Sequence, residues 1–301
     1  MGEENNEMTA LLWLLLPVGL VLATGLASSF YITRRQPRSA SHTPAEFGLE
    51  FEEVAFRAMD GLALQGCWIP VNGSSMRGRV NGPKRAVIIL HGHGGSLDWD
   101  IHRAPALHEA GFNVFLFDFR AHGRSQGRLA TFGYLERYDV QGAVEFLKSR
   151  GIQSIGLLGF SYGAIAAMLS TPICPEVRAV VADGGPARMR TAITARAVEL
   201  HLPRWLAGPL TWLAVATASA RLGANLFHYE PVRWVGKIAP RPIFFIHGEL
   251  DQYVADFDDL YAAANDPKEA WRLAGIGHTK VSETYPDEFR RRVISFFDCN
   301  L

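Results

Sequence analysis

Short, almost wholly apolar runs recur along this chain, and they restrict its fold more than any other feature. Residues 86–90 read AVIIL, 112–117 read FNVFLF, 152–158 read IQSIGLL, 177–182 read VRAVVA and 243–246 read IFFI. Runs this short and this apolar suit strands buried on both faces. Helical stretches lie between them, at 99–110, 136–150, 162–170 and 254–265, and another closes the chain at 283–298. Strand and helix in repetition require crossover connections, so a mostly parallel sheet covered on both faces is predicted. Ahead of this series, 49–57 and 62–71 read as a strand pair turned at Asp60-Gly61, and 71–84 reads as a Gly/Asn/Ser-rich surface loop. The 301 residues, 48 % of them hydrophobic, suffice for one large domain with a sizeable core.

Two stretches depart from the rhythm. Residues 10–32 (ALLWLLLPVGLVLATGLASSFYI) hold 23 residues without a charge, and about 20 suffice to span a bilayer. Glu3, Glu4 and Glu7 precede the run, while Arg34, Arg35 and Arg38 follow it. A secretory signal begins with positive charge and has a shorter apolar core. Residues 1–33 therefore read as an uncleaved, single-pass membrane anchor, with cleavage near Gly25-Leu26-Ala27 as the alternative. The positive-inside rule predicts that the C-terminal domain lies in the cytoplasm. Residues 34–48 read as a linker and 49–301 as the folded domain. The second departure, 187–240, is too long for a simple connection. Its helical content at 191–200 and 205–220, with Trp205 and Trp212, predicts an apolar helical cap over the sheet. A second membrane span there is disfavoured, because only 16 uncharged residues separate Arg204 from Arg221 and Pro209 interrupts them.

Charge and cysteines exclude several classes. Lys+Arg and Asp+Glu balance at 30 each, so the basic footprint of nucleic-acid binding is missing. Cys67, Cys174 and Cys299 are widely spaced and form no Cys-x-x-Cys pair. They read as unpaired thiols of a reducing compartment, not as a zinc site or a disulfide framework.

The sharpest chemical signal is Gly159-Phe160-Ser161-Tyr162-Gly163. It matches Gly-x-Ser-x-Gly between a buried strand and a helix, the setting of a nucleophile elbow. A serine needs a base, and in such an arrangement the order is serine, acid, histidine. Four histidines follow Ser161: His201 and His228 lie in the cap, His247 ends a strand, and His278 sits in the loop Gly275-Ile276-Gly277-His278. His278 is the candidate base. Asp251, in Gly248-Glu249-Leu250-Asp251-Gln252, is the candidate acid, with Glu249 and Asp183 as alternatives. Two backbone amides must stabilise a developing oxyanion. Tyr162 supplies one, and His93, in His91-Gly92-His93-Gly94-Gly95, supplies the other. A zinc reading of His91 and His93 lacks the further Asp and His ligands of metallo-hydrolase sites. No metal or cofactor is implied.

Taken in order, HGHGG, FDFRAHGRS, GFSYG, HGELDQYV and GIGH resemble the α/β-hydrolase superfamily across residues 51–297. Ala121 stands in FDFRAHGRS where that family usually carries glycine. The resemblance implies an α/β-hydrolase fold: a mostly parallel eight-stranded sheet flanked by helices, with a small helical cap at 187–240. It also implies acyl transfer to water without a cofactor. Cap and anchor together resemble membrane-tethered esterases, thioesterases and monoacylglycerol-lipase-type enzymes, and a lipid-like acyl substrate is expected. Two alternatives stand. One is a peptidase of the same fold, with Glu199 holding an amino terminus. The other is a non-catalytic binding protein, which loss of a triad member would mark.

Overall fold

The computed structural model describes residues 2–37, 41–71 and 84–301, with the backbone alone at 2–15 and 17. Eight strands form one sheet: β1 (Glu52–Arg57), β2 (Ala63–Ile69), β3 (Arg85–Leu90), β4 (Asn113–Phe117), β5 (Ser154–Phe160), β6 (Val177–Asp183), β7 (Ile243–Gly248) and β8 (Lys268–Leu273). Their order is β1-β2-β4-β3-β5-β6-β7-β8. β2 pairs antiparallel with β1 and β4, and every other pairing is parallel. The central strands β3, β4, β5 and β6 are almost wholly buried, as their unbroken apolar runs require.

Helices cover both faces. On one lie α3 (Glu136–Ser149) and α4 (Tyr162–Ser170), with Phe115, Phe117, Val144 and Ile165 in one core cluster. On the other, α2 (Ala104–Glu109) and α9 (Pro286–Asn300) pack over a second cluster that includes Val114, Leu116, Phe244 and Phe297. Three expected helices differ from their patterns. The stretch 99–110 is two 3-10 turns and then α2, which begins only where Pro105 can occupy a first-turn position. The closing helix is divided at Pro286 into α8 (Val281–Thr284) and α9. The stretch 254–265 forms only α7 (Phe257–Ala263), after a 3-10 turn at Gln252–Val254.

Between β6 and β7 stand α5 (Met189–Glu199) and α6 (Arg204–Leu222), followed by three 3-10 turns. The amino-terminal helix α1 (Gly2–Thr33) leans on this insertion. Gly25, Ser29 and Thr33, four residues apart, form its buried stripe. Arg221 of α6 donates to Thr33 Oγ1 at 2.5 Å and to Ser29 O at 3.2 Å.

This changes the reading of the amino terminus. Among the described residues no helix is long and apolar enough to cross a membrane. The side chains at 2–15 and 17, which hold the first part of the apolar run, lie outside the described residues. The later part of the run is docked on α6 through small and polar side chains, so an average of hydropathy overstates what is free to meet lipid. The segment read as a linker is also pinned where it is described. Gln36 N donates to Ala121 O at 2.7 Å, and Arg35 Nη1 donates to Gly127 O at 2.7 Å. The expected loop at 71–84 falls mostly outside the described residues.

Candidate active site

β5 ends at Phe160 and α4 starts at Tyr162, which leaves Ser161 alone to turn the chain. Its φ of 52° and ψ of −108° are strained for a residue with a Cβ. The turn needs a glycine two residues on. A Cβ on Gly163 would lie 2.0 Å from Leu90 O, so no side chain fits between elbow and sheet. The bend lifts Ser161 clear of the sheet at the amino end of α4.

Three elements then converge. Ser161 Oγ lies 2.8 Å from His278 Nε2, and His278 Nδ1 lies 2.6 Å from Asp251 Oδ2. The carboxylate can only accept, so Nδ1 carries the proton and Nε2 accepts from the serine hydroxyl. Asp251 follows β7, and its other oxygen accepts the Tyr253 amide at 2.9 Å. The Asp251 side chain is fully buried, while His278 is partly open. His278 sits over Gly184, where a Cβ would come within 3.2 Å of the ring. The structure thus brings Ser161, Asp251 and His278 together and leaves Glu249 out of this chain of hydrogen bonds.

Asp183, the other alternative acid, ends β6 in the same neighbourhood. Its backbone oxygen accepts the Ser161 amide at 2.8 Å, while its Oδ2 is buried without a partner. Burial pushes its carboxyl up to about 7, against the pull of Arg103 and His278.

Tyr162, as the first residue of α4, has an N–H with no intrahelical acceptor. Gly92, His93 and Gly94 line the same cavity as Ser161 and Tyr162. A Cβ on Gly92 would lie 3.9 Å from Ser161 Cβ, so this loop runs directly beside the serine. The His93 ring stacks on Phe132 at 5.2 Å and leans on His122 and Tyr162. His91 has no nitrogen free for a metal: Nε2 accepts the Phe119 amide at 3.1 Å, and Nδ1 bonds Gly92 O at 2.8 Å. Burial pushes its pKa down to about 3. Among the described residues no His/Cys/Asp/Glu cluster could hold a metal ion. Of the remaining histidines, His247 stacks flat on Phe257 at 4.2 Å, and His201 and His228 are exposed in the cap.

Several supporting residues stand in FDFRAHGRS and HGELDQYV, strings that do not by themselves give their roles. Asp118 ties two loops together, accepting Leu97 N and Arg124 N at 2.8 and 2.9 Å. Arg120 is buried and bonds both Asp139 and Asp60, so the segment after β4 is fastened to α3 and to the β1–β2 turn. Ala121, where glycine was the expected residue, has a φ of 58°, the left-handed region that glycine tolerates best. Tyr253 stacks on the His278 ring at 4.6 Å, and its hydroxyl reaches Glu199 in the cap. Its sequence signal is its place in HGELDQYV, two residues after Asp251. All three cysteines are free, and Cys67 and Cys174 are buried, which pushes each thiol up to about 12.

Above Ser161 opens a cavity of about 1150 Å³. Its cap side carries Ile193, Leu200, Leu202, Leu210 and Ala214, and α1 contributes Ala27, Tyr31 and Ile32. The loops after β3 and β8 bring polar groups: Asp100, His102, Arg103, Lys280 and Glu283. Each of these acids has a cation beside it, Arg103 at 2.5 Å from Asp100 and Lys280 at 2.8 Å from Glu283.

The family described as serine aminopeptidase, S33, matches residues 81–235, more than half of the chain. The chain belongs to that family. The matched span contains the HGHGG loop and the elbow, and ends before Asp251 and His278. Among curated proteins, YfhR of Escherichia coli (strain K12), itself described as uncharacterized, is 26 % identical over 258 residues, 81 % of this chain and 80 % of its own. Among solved structures, the esterase Pf2001 of Pyrococcus furiosus is 27 % identical, with a TM-score of 0.70 over 89 % of this chain and 98 % of its own. The proline iminopeptidase of Mycobacterium smegmatis, 18 % identical with a TM-score of 0.57 over 81 % of this chain and 97 % of its own, shares the fold. Family and fold make the chain an α/β hydrolase.

Proposed function

We propose that this chain is a serine hydrolase of carboxylic esters or thioesters that accepts a hydrophobic acyl group. The observation that carries the reading is the continuous relay from Asp251 through His278 to Ser161, at 2.6 and 2.8 Å, on the floor of a largely apolar cavity. His278 Nε2 takes the proton as Ser161 Oγ attacks the acyl carbon. The amides of Tyr162 and His93 hold the oxyanion, a contribution of about 10²–10³ in rate per donor in comparable sites. Asp251 keeps the proton on Nδ1 and stabilises the imidazolium. The alcohol or thiol departs with the proton returned by His278. Water then enters by the same route in reverse and releases the acid. No cofactor takes part.

The apolar cap side suits the acyl chain, and the polar loops at Asp100, Arg103 and Lys280 suit a leaving group. Likeness to the Pyrococcus furiosus esterase supports the ester reading. The family description favours a second one, an aminopeptidase. Such an enzyme needs an acid free to hold an amine, yet Asp100 and Glu283 are ion-paired, and Glu199 is held by Arg196 at 2.8 Å and by Tyr253. The uncharged run at 10–32, followed by Arg34 and Arg35, supports a membrane tether with the hydrolase on the cytoplasmic side. Extraction of the chain from membranes by alkaline carbonate would count against that tether.

Labelling by a fluorophosphonate, wild type against Ser161→Ala, tests the nucleophile, and p-nitrophenyl esters against aminoacyl naphthylamides test the bond. Labelling that vanishes in the variant, with ester turnover at least about 10³-fold lower, is the expected outcome. Folded wild type that neither labels nor turns over an ester sinks the proposal. Turnover of the amides alone moves it to the peptidase.

A further inference from the structure

We propose that the end of α1, with the segment after it, is a wall of the substrate cavity and sets the length of acyl chain that the site accepts. This rests on the acyl-hydrolase reading above. Ala27, Ser28, Tyr31, Ile32, Arg34 and Gln36 line the same cavity as Ser161 and His278. A tether alone would not require this contact.

The wall is held at both ends. On the cap side, Gly25 lets α1 lie close against α6. A Cβ there would lie 2.8 Å from Thr217 Oγ1 and 2.9 Å from Leu213 Cγ. Two turns further on, Arg221 bonds Thr33 and Ser29, with its guanidinium 4.1 Å from the centre of the Phe30 ring. On the floor side, Arg34 bridges to Leu129 and Gln36 to His122. The backbone bond from Gln36 to Ala121 and the guanidinium bonds from Arg35 to the Gly127 and Gly123 carbonyls complete the seam. The buried stripe Gly25-Ser29-Thr33 faces α6; Ser28 and Ile32 adjoin it on the helix surface, Ala27 and Tyr31 lie further round, and all four line the cavity.

To the same cavity α6 contributes Leu210, Thr211 and Ala214. Ala27 and Ser28 are small, so volume is available where these two helices meet the cavity. A bulky side chain at Ala27 takes that volume away without overpacking a core, because Ala27 is exposed. The floor of the site, Ser161 to Asp251, is untouched by such a change. The fold therefore separates the bond that is cut from the chain length that is admitted, and puts the second in the hands of the amino-terminal helix.

The test uses the full chain in lipid nanodiscs and two readouts. The first is kcat/KM for p-nitrophenyl esters from two to sixteen carbons. The second, independent of catalysis, is binding of 11-(dansylamino)undecanoic acid to the Ser161→Ala protein, read as fluorescence above that of empty discs. Ala27→Trp is expected to lower the ratio of kcat/KM on the longest esters to that on the shortest by about tenfold or more, and to lower probe affinity by a similar factor. Tyr31→Ala, which enlarges the cavity instead, moves the optimum toward longer chains. Ala23→Trp, on the same helix but outside the cavity lining, behaves as wild type. Ala27→Trp and Tyr31→Ala profiles and affinities equal to those of Ala23→Trp overturn the proposal. So does a parent protein that binds no probe. If wild type cleaves no ester, the hydrolase reading fails by itself, and the probe arm alone decides this one.

Discussion

The floor of the site and its roof are built to different standards. On the floor, β3, β5 and α4 meet with backbone against backbone. Leu90, Leu157, Ala164 and Ala166 are fully buried, and a Cβ on Gly163 has no place to go. The roof is looser. Only Met189 and Ala195 of α5 are buried, and α6 holds Trp205 and Trp212 at 77 % and 55 % exposure. Reacting atoms must be held to fractions of an ångström, and only a close-packed floor does that. A roof that must admit and release a substrate is drawn from the less tightly packed part of a fold. One chain thus carries a rigid half for the bond and a yielding half for the ligand.

Substitutions on the floor should therefore have large effects that do not depend on the substrate. The largest is expected from Asp251→Asn. The amide can still accept the Tyr253 N–H, so the loop is kept, but the tautomer of His278 is no longer fixed. A fall in kcat of about 10⁴, equivalent to about 5 kcal/mol, is expected with every ester tested, at unchanged thermal stability. A loss confined to long-chain esters would show instead that floor and roof are not separate.

Next in size is Gly163→Ala. The added methyl would collide with the Leu90 carbonyl at 2.0 Å, and neither partner is a flexible side-chain end. A destabilisation of about 3 kcal/mol is expected in denaturant titration, near the upper end for overpacking. Stability within error of wild type would mean that the elbow yields, and the contrast with the roof would lose its basis.

The elbow was legible in the sequence because its cause is local: a β-run, a small residue at each needed place, and a helix within a dozen positions. Asp251 and His278 were legible through chain order, since each sits just after a strand-like run. What could not be read arises from partners far apart. Arg120 meets Asp60 and Asp139 from two other elements. The stripe Gly25-Ser29-Thr33 is hidden in an apolar run whose average points to lipid, although one of its sides belongs to α6. Gln36 and Arg35 look like linker residues until Ala121 and Gly127 are placed beside them. Local chemistry fixes strands and turns, whereas a docking partner is a property of the finished fold.

Asp183 gives the comparison a pH dimension. Burial raises its folded pKa to about 7, above the ordinary value of 3.8. Between about 4 and 7 the folded state holds a proton that the unfolded state has released, so stability declines as pH rises through that window. Asp183→Asn removes this one group from the balance. Its melting temperature should fall less than that of wild type between pH 5 and 8, with the variant the more stable of the two at pH 8. Parallel curves would show that Asp183 is ionised throughout and that Arg103 and His278 offset its burial.

The smallest effect belongs to the roof. Trp205 is 77 % exposed at the start of α6 and does not line the cavity, so its removal leaves no hole and bares no buried polar group. Trp205→Ala should change stability by less than about 0.5 kcal/mol, and kcat on a soluble short ester should stay within experimental error. An exposed indole on α6, together with the exposed Leu and Val side chains of α1 packed against that helix, instead suits contact with lipid. The variant should accordingly lose affinity for vesicles while keeping its chemistry. If Trp205→Ala lowered kcat on that soluble ester as Asp251→Asn does, the cap would be part of the reacting geometry, and the division between a floor that cuts and a roof that chooses would have to be abandoned.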